Sequence, residues 1–169
     1  MSIRLTREVR FDIPTQLDAQ ESLEFLRNPS LALKEVGFLS DVLVHPDKRV
    51  TAELPVNAAF FGKRTVRFDS QVENLPNGAR LVSLPSMDET AVVKVAGQAT
   101  VGDGAEGSIL RYDFQFELIV HVPEPERWGG RALLKMVEFT ADRMLEKITA
   151  EFPEAVRVAA QRQEAVHAA

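Results

Sequence analysis

The sequence predicts an α+β fold: a curved antiparallel sheet of about six to seven strands, one long C-terminal helix across its concave face, and two short helices after the first strand. Three observations carry that expectation. Most of the chain before residue 125 alternates apolar and polar residues with period two, the signature of strands with one buried face. Residues 125–152 then change period: Leu133, Met136 and Val137, Thr140, Met144 and Ile148 recur three or four apart, widened by Leu134, Leu145 and Phe152. Such a helix is about 40 Å long at roughly 1.5 Å per residue, enough to cross a small domain.

The elements follow in order. Ile3, Leu5, Val9, Phe11 and Ile13 alternate with polar residues, and Arg7 falls in the apolar register. Pro14 is expected to end this strand, with Thr15 as N-cap of a short helix carrying Leu17, Leu23 and Leu26. Asn28-Pro29-Ser30 breaks that helix, and residues 31–36 form a second short one. Residues 38–44 and 49–54 read as a hairpin around His45-Pro46-Asp47-Lys48. Residues 60–75 make a long strand with Val66, Phe68 and Val72 on one face, and Pro76-Asn77-Gly78 turns it back into residues 79–84. Residues 91–101 alternate again. After a loop at 102–107, Leu110, Tyr112, Phe114, Phe116, Leu118, Val120 and Val122 give the cleanest strand in the chain. The domain is expected to span 1–152, with 153–169 an alanine-rich helical extension or partly ordered tail.

Composition narrows the function classes. The 169 residues suit one domain, and 45% hydrophobic with 27% charged residues is ordinary for a soluble protein. A net charge of −5 argues against nucleic acid. With no cysteine there is no disulfide, thiolate nucleophile or cysteine-ligated metal. The start of the chain lacks the apolar core of a secretory signal, and no run approaches the roughly 18 apolar residues of a membrane span, so a cytoplasmic protein is expected.

Few residues point to chemistry. The stretch 102–107, Gly-Asp-Gly-Ala-Glu-Gly, has the letters of a dinucleotide fingerprint, but a strand follows where the mechanism needs a helix N-terminus. His45, His121 and His167 are far apart, with no i, i+4 pair for a metal. No cofactor or metal is expected. Arg7 and Tyr112, with Arg64 and Ser70 behind them, are polar residues in apolar registers. An inward arginine calls for a carboxylate partner or an anionic ligand group; the alternative is an arginine snorkelling to solvent, with Tyr112 capping the core. Trp128-Gly129-Gly130-Arg131 heads the long helix, either as an aromatic-gated entrance or as a staple of helix to sheet.

This element order resembles the START-like (SRPBCC) superfamily, the helix-grip fold. The likeness runs from residue 3 to about 152, carried by the first strand, the helical pair at 14–36, the strands ending at 110–122 and the helix at 128–152. It is a likeness of pattern with no specific motif. It implies an apolar cavity of the kind that takes lipids, sterols, polyketides or quinones, in members that bind or carry and in others that are cyclases or hydrolases. For this chain the implied cavity lies among Val66, Phe68, Val93, Val95, Tyr112, Phe114, Phe116 and the helix residues Leu133, Met136, Val137 and Thr140. Arg7, Tyr112 or Trp128 would orient the polar end of the ligand. Gly97 and Ala99 either leave room for the cavity or permit close packing.

The leading expectation is thus a non-catalytic binding or carrier domain for a hydrophobic small molecule. An enzyme would use Tyr112 or Arg7 in the same pocket to polarise a carbonyl. A structural protein would have a filled core, its tail docking on a second subunit through Val156, Val158 and Ala159. Strand edges offer a further route to a homodimer, one that the charges of Asp47, Lys48 and Arg49 discourage.

Overall fold

The computed structural model describes residues 2–58, 62–87, 90–122 and 130–169, the side chains of residues 57 and 58 excepted. Seven strands form one antiparallel sheet: β1 (Ser2–Thr15), β2 (Ser40–Val44), β3 (Arg49–Ala58), β4 (Gly62–Leu75), β5 (Gly78–Ser83), β6 (Ala91–Asp103) and β7 (Ser108–His121). Their spatial order is β1-β7-β6-β5-β4-β3-β2. The first strand therefore pairs with the last over its whole length, from Ser2 opposite His121 to Thr15 opposite Ser108. Period two explains the match, because each strand buries every second residue and the two apolar rows fall on one face.

Pro14 does not end β1. It remains in the ladder opposite Ile109, and β1 is an edge strand, where a missing N–H is tolerated. Thr15 is accordingly not the N-cap of α1 (Ala19–Arg27). Asp18 is: its Oδ1 accepts from the Glu21 N–H at 2.8 Å, and Glu21 Oε2 accepts from the Asp18 N–H at 2.9 Å, a reciprocal capping box. The second short helix, α2, is a single turn, Ser30–Leu33. β2 begins at Ser40, leaving Phe38 and Leu39 to pack against the core.

The sheet bends where β5 is short. β5 meets β4 from Ser70 to Leu75 and β6 from Gly97 to Thr100. Beyond its end β4 reaches β6 directly, and the fully buried Ser70 hydroxyl donates to the Val95 carbonyl at 3.2 Å. Gly97 lies in this bend with φ near 155°, and a Cβ there would stand 2.3 Å from the Asp113 carbonyl oxygen. Its smallness serves close backbone approach.

The long helix, α3, runs from Gly130 to Ala168, longer than residues 125–152 predict, and it passes through Pro153. An interior proline costs about 3 kcal/mol. The burial of Ala155, Val156, Ala159 and Ala160 offsets that cost, and polar ties fix the last turns. Glu164 accepts from the Thr15 hydroxyl at 2.7 Å and the Gln16 N–H at 2.8 Å, Arg162 pairs with Glu35, and His167 lies 3.1 Å from Glu21. Val156 and Ala159, named above as anchors for a second subunit, are 0% and 3% exposed inside their own chain. Among the described residues no helix is long and apolar enough to cross a membrane.

Candidate functional site

The inner face of the sheet carries an aromatic cluster built by register. Phe11 on β1 lies opposite Tyr112 on β7, and their rings stack with centroids 4.8 Å apart and 5° between planes. Phe152 of α3 drops into this row and meets Phe11, Tyr112, Phe114 and Phe116 edge-on, at 5.7, 6.0, 5.7 and 5.8 Å. Each such pair contributes about 0.5–1.5 kcal/mol beyond area burial, so Phe152 is the pin that sets the helix height above the sheet.

Beside the cluster lies a cavity of about 80 Å³. Phe68, Val95, Tyr112, Phe114 and Phe116 line it, as do Ile148 and Phe152 of α3. The other wall comes from the short helices and the segment after them, with Phe25, Leu26, Ala32, Leu33, Val36, Phe38 and Leu39. A second cavity, also about 80 Å³, sits nearer the start of α3, among Val56, Val66, Ala91, Leu118, Val120, Val137, Thr140, Ala141 and Met144, with Arg64, Thr90 and His121 contributing polar groups. Among the described residues no carboxylate lines either cavity. Among the described residues no cluster of three or more histidines and carboxylates is placed to hold a metal.

Arg80, exposed and 3.9 Å from Glu73, also lines the first cavity, and the buried polar residue there is Tyr112. It is 8% exposed, and burial pushes its phenol well above the ordinary value near 10, so it stays a neutral donor. Among the described residues its hydroxyl has no hydrogen-bond partner.

The other residues singled out by sequence fall in different places. Arg7 points inward, and a carboxylate meets it: its guanidinium pairs with Asp142 of α3, both side chains about 40% exposed. It lines neither cavity. Thr140 lines the second cavity, Leu133 is half-buried outside both, and Met136 is 43% exposed, so the helix presents Val137 and not Met136 to the interior. Trp128 lies outside the described residues. Sequence reading misses Phe11, Phe152 and Ile148 as site residues, and also the wall from the short helices. The apolar density of residues 23–39 is the available signal for that wall.

The chain belongs to the family described as a protein of unknown function, DUF3809, whose model matches residues 10–150. No curated protein matches the chain. Among solved structures it is similar to the di-domain ARO/CYC StfQ from the steffimycin biosynthetic pathway, at 11% identity and a TM-score of 0.50 over 97% of this chain and 52% of that one. It is also similar to TTHA0849 from Thermus thermophilus, at 13% identity and a TM-score of 0.49, covering 94% of this chain and 99% of that one. Ara h 8.0201 matches at 9% identity and a TM-score of 0.42, over 89% and 99% of the two chains. The StfQ likeness, at that identity, speaks for the fold alone, which is the helix-grip arrangement of a curved antiparallel sheet around a long C-terminal helix.

Proposed function

We propose that this member of the DUF3809 family is a non-catalytic binding or carrier domain for a hydrophobic small molecule, acting in the cytoplasm, with the ligand held between sheet and α3 as in the START-like superfamily. The observation that carries the reading is the Tyr112 hydroxyl, an unpartnered donor on the wall of an apolar cavity. A ligand oxygen there, carbonyl or hydroxyl, supplies the missing acceptor, while the hydrophobic walls contribute the bulk of the affinity. Binding is favoured over turnover because among the described residues no carboxylate lines either cavity and His121 is exposed at the rim of the second. The StfQ likeness supports the architecture and carries no residue over.

The size of the site sharpens the expectation. A cavity of about 80 Å³ holds roughly six waters at 10–15 Å³ each, so a small ring system or a short chain fits it without rearrangement. A matched pair of probes of that size tests the role of Tyr112: cyclopentanone, which carries a carbonyl, and cyclopentane, which does not. The wild-type protein should prefer the ketone, and Tyr112→Phe should lower ketone affinity about threefold to tenfold while leaving cyclopentane unchanged. Equal preference for the ketone in both proteins removes Tyr112 from the site, and no saturable binding of either probe removes the proposal.

A further inference from the structure

The two cavities share no lining residue, yet five elements contribute neighbouring residues to both. On β3 these are Leu54 and Val56, on β4 Phe68 and Val66, on β6 Val93 and Ala91, on β7 Phe116 and Leu118, and on α3 Ile148 and Met144. Residues two apart on a strand, or four apart on a helix, are consecutive positions on one face. The cavities are therefore successive compartments of the same space under α3, separated by one layer of side chains. That layer is about 7 Å thick along a strand and about 6 Å along the helix.

We infer that these compartments are two chambers of one bore, and that the ligand is a slender aliphatic chain with an oxygen at one end. This rests on the binding reading above and adds the shape of the ligand. The oxygen meets Tyr112 in the first chamber, and the tail passes the side-chain layer into the second. Met144 is the soft element of that layer: it is unbranched, with three rotatable bonds, half-buried, and on the border between chambers. From Val137 in the second chamber to Phe152 in the first, α3 rises about 22 Å, the reach of an extended chain and not of a compact ring system. Each chamber holds roughly six waters, and a methylene occupies about the volume of one water, so the pair takes about twelve carbons.

Straight-chain 2-alkanones of increasing length, titrated by calorimetry, read this directly. Affinity should rise roughly fourfold per methylene through about six carbons and continue to about twelve. Ala141→Leu, which fills the second chamber, should stop the rise near seven carbons. A cooperative urea unfolding transition shows that the variant is folded. Val137→Leu, adding less bulk to the same chamber, should shorten the rise by one or two carbons and serves if Ala141→Leu does not fold. A wild-type plateau near seven carbons overturns the joined bore and leaves the binding reading standing. A rise to twelve carbons that neither variant shortens overturns it too, because the tail then leaves by another route. No saturable binding at any length defeats this inference and the binding reading together.

Discussion

The two ends of α3 are packed differently. From Val137 to Phe152 the helix covers the sheet across large side chains, with a cavity on either side of the Met144–Ile148 border. Beyond Pro153 it presents Ala155, Val156, Ala159 and Ala160, all buried, and closes on the short helices and the end of β1 with Glu164, Arg162 and His167. Small residues let backbones approach and leave no void. Bulky rings such as Phe152, Phe114 and Phe116 prop the elements apart and leave space their own volume does not fill. One helix thus serves as clamp at its C-terminal end and as roof at its N-terminal end.

Substitutions along the helix test that division. Phe152→Ala removes the pin between roof and sheet and should cost about 3–5 kcal/mol in urea unfolding; a loss below about 1 kcal/mol means the aromatic row does not set the helix height. Next comes a like-for-like comparison. Ala159→Leu overpacks the clamp and should destabilise by about 1–3 kcal/mol. Ala141→Leu grows into the second cavity and should cost less than about 1 kcal/mol or stabilise. If the two variants unfold at the same denaturant concentration, the ends are not packed differently. The smallest effect is expected at the half-exposed Arg7–Asp142 pair. Arg7→Met should change stability by about 0–1 kcal/mol, checked against the Asp142→Asn double-mutant cycle.

The parts of this fold that are legible in the sequence are those set by local period. The matching alternations of β1 and β7 predict two strands with buried faces, and the shift to a three-to-four period predicts α3. What escapes depends on neighbours distant in the chain. Pro14 reads as a strand end until β1 is known to be an edge. Pro153 reads as a helix end until the face beyond it is known to have β1 and α2 to bury against. Met136 and Val137 are adjacent and both apolar, and a helical stripe alone does not decide which faces inward. The inward Arg7 is visible as an anomaly of register, but its partner Asp142 lies 135 residues away. Phe68, Val95, Tyr112, Phe114 and Phe116 follow from strand parity, and parity does place them on one wall. The opposite wall comes from two short helices whose docking no periodicity encodes.

Native mass spectrometry of the purified protein, followed by organic extraction, tests the central claim that the space under α3 is a ligand site. The expected result is an adduct of small-molecule mass that extracts into organic solvent as an oxygen-bearing hydrophobic compound and is diminished in Tyr112→Phe. A wild-type protein that flies at its bare mass and takes up none of the apolar ketones contradicts the claim, and leaves the two cavities as packing defects of the fold.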